Sequence, residues 1–305
     1  MKKGLEMSFA WLFAIITGVI ILLIAIYAST RVIQTEQTAV DAQTAKEIGV
    51  ILNPLETGFE TGKTTSIALP TETRIYNRCN NENYFGEQII KISQRSFNKW
   101  TDTNIDVSFR NKYIFSDNYT EGEKFFVFSK PFEFPFKVSD VIYLTSSQKK
   151  YCFKGFGEEE QDIREELSNL NQENIAIEQC PADAVEVCFN DESCEIYVNW
   201  NSRYVEKNNE IMDFDDTALM YAAVFSDKET YDCHVERLMQ RTEQLLNIYI
   251  EKENFVAREG CNSNLGADLA LLKDGVSAES FNIVTLSNRA DEIKDSNDVA
   301  SCKLW

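Results

Sequence analysis

The chain opens with an unbroken apolar stretch, passes into a helical rhythm, then into alternation, and ends in helical rhythm again. Residues 7–28 read MSFAWLFAIITGVIILLIAIYA, roughly 22 residues without a charge, which as a helix span about 33 Å, enough to cross a bilayer core. The run is too long for the core of a cleavable secretory signal, and Ile26-Tyr27-Ala28 is a poor small-residue cleavage site. Trp11 and Tyr27 stand near its ends, where amphipathic rings favour the membrane interface. Beyond it, Ile33, Val40, Thr44, Ile48 and Ile51 share one helical face, Gly49 is the only glycine, and Pro54 closes the segment. One long helix is predicted, with an anchor over residues 1–28 and an amphipathic stalk over 29–54.

A head over residues 55–305 follows, and its first part alternates. Strands are predicted at residues 66–69, 88–93, 105–109, 113–115, 125–128 and 138–144. In Pro131-Phe132-Glu133-Phe134-Pro135-Phe136 the three phenylalanines share one face of an extended segment. Its two prolines restrict it to an edge or a non-strand stretch. Such a stripe lines a core or, exposed, forms a partner-binding surface, so Phe132, Phe134 and Phe136 are partner-binding candidates.

Helical spacing then returns. Residues 158–171 read as a polar helix. Val185, Val187, Phe189 and Ile196, Val198, Trp200 alternate around a short polar loop, which predicts a hairpin centred on Asp191. Ser226 and Glu229 suit a capping box, and Val235, Leu238, Met239, Thr242, Leu245, Leu246 and Tyr249 mark one helix face. Shorter helices are expected at 265–273 and 278–291. The fold class is α+β: a long N-terminal transmembrane and stalk helix, a largely antiparallel β-rich head, and several C-terminal helices. A candidate subdivision lies near residue 155.

Charge narrows the partners. The net charge is −19, and because the first 28 residues hold Lys2, Lys3 and Glu6, the remainder is more negative still. Such a surface repels phosphate backbones, which argues against nucleic acid. Asp213, Asp215 and Asp216 lack the glycine and terminal glutamate of an EF-hand loop. No metal or other cofactor is expected.

All eight cysteines, Cys79, Cys152, Cys180, Cys188, Cys194, Cys233, Cys261 and Cys302, lie after the anchor, and none forms a C-x-x-C pair. Irregular spacing suits disulfides in an oxidising compartment better than zinc or redox motifs. In the hairpin register Cys188 and Cys194 face each other, and Cys302 is placed to staple the tail to Cys261 or Cys233. Lys2 and Lys3 before the apolar run favour a cytoplasmic N-terminus and an extracytoplasmic head. Asn118-Tyr119-Thr120 is a glycosylation sequon on that outer side.

Lys2-Lys3-Gly4 followed by an apolar helix that turns amphipathic, and then by a β-rich domain, resembles type IV pilin-like proteins, particularly archaeal ones. That resemblance, confined to about the first 50 residues, implies cleavage between Gly4 and Leu5 by a prepilin-type peptidase. It also implies a helix that packs in a filament core or stays as an anchor. Phe9 stands where many members of the family carry a glutamate, and Glu6 is only the second residue after the cut.

No catalytic motif is visible. Residues 58–64 fall one residue short of a phosphate-binding loop and follow a helix rather than a strand. His234, the only histidine, sits beside Cys233 near the start of a helix, where neighbouring side chains diverge, and is expected to be a partly exposed structural residue. The chain is therefore expected not to be an enzyme, with a paired-carboxylate hydrolase as the remaining enzymatic alternative. The leading expectation is a single-pass cell-membrane protein with a cytoplasmic N-terminus, acting as a pilin-like structural or filament subunit. It would contact the lipid bilayer and self-associate through its first helix. The rival is an uncleaved anchored module whose head binds a protein or a glycan.

Overall fold

A computed structural model describes residues 11–32, 64–82, 85–96, 99–102, 106–191, 193–278 and 281–305. Gly4, Leu5 and Phe9, most of the stalk and the 58–64 loop (except Thr64) lie outside them. The first helix, α1 (Trp11–Val32), has a mean hydropathy of 2.6, and its most apolar window buries nothing against protein.

Two sheets make the head. The first takes β1 (Thr64–Asn80), β2 (Glu87–Ser96), β3 (Lys99–Asp102), β4 (Val107–Phe109), β5 (Ile114–Phe115), β6 (Tyr119–Glu133) and β7 (Lys137–Ser146). Its order is β3-β2-β1-β6-β7-β5, with β4 also on β2. All pairs are antiparallel except β5 with β7. Alternation sends Ile75, Ile90, Ile92, Phe125, Val127, Ile142 and Leu144 to one side, where they form a closed cluster with Ile67 and Ile114. The sheet curls around them like a small barrel. At its seam Asn77 Nδ2 donates to the Ile114 carbonyl at 2.9 Å, and the Ile114 amide donates to Gln88 Oε1 at 3.2 Å. Side chains of β1 and β2 thus satisfy the far edge strand.

The second sheet takes β8 (Lys150–Lys154), β9 (Ile175–Ile177), β10 (Ala184–Phe189), β11 (Ile196–Asn199), β12 (Tyr204–Lys207) and β13 (Glu210–Asp213), in the order β13-β12-β11-β10-β8-β9. Here the expected hairpin is corrected. β10 and β11 run parallel, with Val187 opposite Ile196 and Phe189 opposite Val198. Alternation identifies which side chains share a face but says nothing about strand direction. Val187, Cys188, Phe189, Ile196, Tyr197 and Val198 are all buried, as suits a parallel sheet covered on both faces.

Among the described residues five helices complete the head: α2 (Gln161–Leu170), α3 (Thr217–Phe225), α4 (Lys228–Arg258), α5 (Gly266–Val276) and α6 (Ile283–Val299). α3 had no sequence prediction, because its residues Ala218 to Phe225 are all buried and it shows no polar face to set a period. α4 is capped by Asp227, whose side chain accepts from the Thr230 amide at 2.9 Å, one residue beyond the expected Ser226. It runs 31 residues, well past Tyr249. One main core draws on both sheets and all five helices of the head, from Tyr113 to Leu304, and so includes residues on both sides of position 155.

Phe132, Phe134 and Phe136 belong to that core at 0–3% exposure, so they form no partner-binding surface. Phe136 packs on Tyr249 of α4 and on Trp305, with ring centroids 4.3 and 5.3 Å away. Pro131 is tolerated because β1 pairs β6 only as far as Phe128; beyond that, among the described residues, β6 has β7 as its one neighbour.

Candidate functional site

Disulfides tie the head together. Cys79 pairs with Cys233, Cys152 with Cys180, Cys188 with Cys194 and Cys261 with Cys302. The Cys188–Cys194 partners are therefore as anticipated, though a returning loop between parallel strands brings them together, not a hairpin. Asp191 shapes that loop by accepting from the Ser193 amide at 3.0 Å and from its hydroxyl at 2.7 Å. Cys302 takes Cys261; Cys233 instead ties α4 to β1.

His234 is fully buried, not partly exposed. Its Nδ1 accepts from Arg237 Nη1 at 3.0 Å, which leaves the ring proton on Nε2. Burial, and then the Arg237 charge, hold its pKa well below the ordinary histidine value. Phe115 and Tyr113 lie edge-on to the ring. This is a packed structural histidine.

A cleft of about 590 Å³ lies where the two sheets meet. Residues 117–121, at the entry to β6, form one wall. Residues 144–149, at the β7–β8 turn, form another, and Lys207 of β12 with the α3–α4 link closes the floor. Asp117 stands at the centre. It accepts from Lys149 and, at 3.3 Å, from Lys207. Lys207 is 8% exposed and also donates to the Ser226 and Val224 carbonyls at 2.9 and 3.3 Å. Those are carbonyls that α3 leaves without an intrahelical partner, and a buried ammonium complements them.

Burial pulls the Lys207 pKa down, with Lys149 adding to the effect and Asp117 opposing it. Burial works against the Lys149 ammonium too, but Tyr151 and Asp117 outweigh it and raise its pKa. Burial raises the Tyr151 phenol, against the pull of Lys149. Asp227 lines the same floor. Its Oδ1 caps α4, while its Oδ2 is enclosed and has no hydrogen-bond partner among the described residues.

Asn118, the sequon asparagine, lies exposed on a bend at the mouth of this cleft. Tyr119 beside it is 52% exposed. On the outer face of the barrel Tyr119 is the register partner of Tyr76, with ring centroids 6.2 Å apart. The Arg74 guanidinium sits 4.8 Å from the Tyr119 ring and 4.2 Å from the Trp100 ring, and pairs with Glu121 at 2.6 Å. An aromatic ledge therefore adjoins a polar cleft. The sequon, Tyr119 included, was readable in the sequence; the grouping of Asp117, Lys149 and Lys207 had no signal there, because they meet only through the packing of the two sheets.

A second acidic site lies between β6, α6 and the start of α3, in a pocket of about 290 Å³. Asp216 caps α3 by accepting from the Leu219 amide at 3.0 Å, and Asp215 accepts from the Asp216 amide at 2.8 Å. Burial and then the Asp216 charge raise the Asp215 carboxyl well above the usual range, and burial raises Asp216. The one group of three close metal-type ligands among the described residues is Cys188, Asp191 and Cys194. Its two sulfurs are bonded to each other and are not thiolates.

What fold and sites define is an α+β protein in which an N-terminal apolar helix precedes a head tied by four disulfides. The helix is long and apolar enough to serve as a membrane anchor, and the disulfides suit an oxidising, extracytoplasmic setting. The chain matches no protein-family model, and comparison with curated proteins and with solved structures finds no match.

Proposed function

We propose that this protein is a single-pass, membrane-anchored surface protein with a pilin-like N-terminus, its N-terminal end cytoplasmic and its head outside. The observation that carries the reading is a combination. A 22-residue helix of mean hydropathy 2.6 precedes a head in which every cysteine is disulfide-bonded. Disulfides of this number persist outside the cytoplasm, and the helix offers the head a tether to the bilayer. Lys2-Lys3-Gly4 before it supplies both the orienting charge and the processing site. In this reading α1 associates with copies of itself through close packing at small residues such as Ala14 and Gly18.

Intact mass and N-terminal sequence of the protein from its native membrane test the reading. A chain beginning at Leu5 supports prepilin-type processing. A chain beginning at Met1 or Lys2 removes the pilin kinship and leaves an anchored binding module. The cleft at Asp117 favours that second reading, since its volume of about 590 Å³ is that of small-ligand sites. A membrane-impermeant protease applied to intact cells reports separately on which side the head lies.

A further inference from the structure

Three observations converge on one rim of the Asp117 cleft. Asn118-Tyr119-Thr120 is an N-x-T acceptor sequence. Asn118 is exposed on the bend just before β6, so its amide is open to a transferase. Tyr119, 52% exposed, begins the aromatic ledge with Tyr76 and Trp100, immediately beside the cleft.

This arrangement has the chemistry of a sugar seat. A pyranose has an apolar C–H face and a hydroxylated edge, so it is held where an aromatic ring adjoins polar side chains. The cations present already have their counter-charges: Arg74 pairs with Glu121, and the two ammonium groups of Lys149 and Lys207 face the two carboxylates of Asp117 and Asp227. A neutral hydroxylated group therefore suits the cleft better than a charged one, which would have to compete for these ion pairs.

We propose that Asn118 carries an N-linked glycan whose first sugars stack on Tyr119 and roof the Asp117 cleft. The donor is an oligosaccharide activated as a phosphate ester at its anomeric carbon. The Asn118 amide nitrogen forms a bond to that carbon and gives up one proton. The anomeric C–O bond breaks, and its electron pair leaves with the phosphate. The glycan is then part of the head's outer surface, and the cleft is an internal seat.

The inference rests on the head facing outward. Protein purified from native membranes is measured by intact mass, glycopeptide mapping and amide hydrogen exchange. The expected result is a mass excess located at Asn118. It is lost in Asn118→Gln and Thr120→Ala and kept in Thr120→Ser, with all four disulfides mapped intact in each variant. Backbone amides of residues 117–121 and 146–149 exchange about tenfold faster in Asn118→Gln than in the native protein. Tyr119→Ala keeps the glycan mass but exchanges as fast as Asn118→Gln, which separates seating from attachment. An unmodified Asn118 in the native protein overturns the proposal. So does a glycan whose removal leaves exchange unchanged. A head still cut by external protease in that event leaves the anchored-surface reading standing, whereas a protected head removes both.

Discussion

Arg237 on α4 donates from Nη1 to the Lys112 carbonyl at 2.9 Å, across the short link between β4 and β5. The same side chain donates to the carbonyls of Phe85 at 3.1 Å and Arg110 at 3.0 Å, and its guanidinium lies 4.8 Å from the Tyr113 ring. One fully buried residue therefore fastens the long helix to the β1–β2 turn and to the barrel seam. Burial lowers its pKa to about 10, so it is still charged at neutral pH.

Arg237→Met leaves three backbone carbonyls without their donor. The expected loss of unfolding free energy is about 3 kcal/mol, read from urea titration of the full chain in detergent. Arg237→Lys recovers only part of it, since an ammonium cannot reproduce a planar fork. An unchanged midpoint for Arg237→Met would contradict the clamp.

The lone histidine gives a clean pH signature. Its folded pKa lies well below the ordinary value of about 6.5. As pH falls through about 6.5 the unfolded chain binds a proton that the fold refuses. The stability that the neutral imidazole contributes is therefore present above that pH and lost below it. The histidine ring resonances in NMR are expected to show no titration across pH 5.5–8 while the protein stays folded.

Asp215 has the opposite sign. Its folded pKa is raised, so the folded state holds a proton that the unfolded chain has released above about pH 4. Its contribution to stability is present below about pH 4 and falls as pH rises toward the raised value. Asp215→Asn keeps the carbonyl that accepts from the Asp216 amide while removing the charge. It is expected to raise the melting temperature at pH 7–8 and to bring no gain near pH 4. A gain equal at both pH values would rule out ionisation as the cause.

The disulfides differ in span. Cys79–Cys233 closes 154 positions and Cys188–Cys194 closes 6. By loop-closure entropy their removal as paired serines costs roughly 5 and roughly 2 kcal/mol respectively. Denaturant midpoints of the two double variants check the order. The reverse order would mean that contacts around the Asp191 loop, and not chain entropy, govern these links.

The chain's own patterns disclosed a good deal. The uncharged run before Arg31 marks α1, because no polar group interrupts a length that matches a bilayer. Period-two alternation located most strands of the barrel, and Val235, Leu238, Met239 and Leu246 marked the buried face of α4. Asn118 was legible because a sequon is a local triplet. The clustering of Asp117, Lys149 and Lys207 was not, since these residues come from the entry to β6, the β7–β8 turn and β12.

Sequence alone determined the apolar first helix, the α+β order of elements and which side chains share a face, because each depends on near neighbours and on fixed helical or strand periods. Only the tertiary structure decided that β10 and β11 run parallel, that Cys233 joins Cys79, and that Phe132, Phe134 and Phe136 are interior. Direction, partner and burial depend on segments far apart in the chain. A local pattern of hydrophobic and polar residues carries no information about which distant surface will cover it.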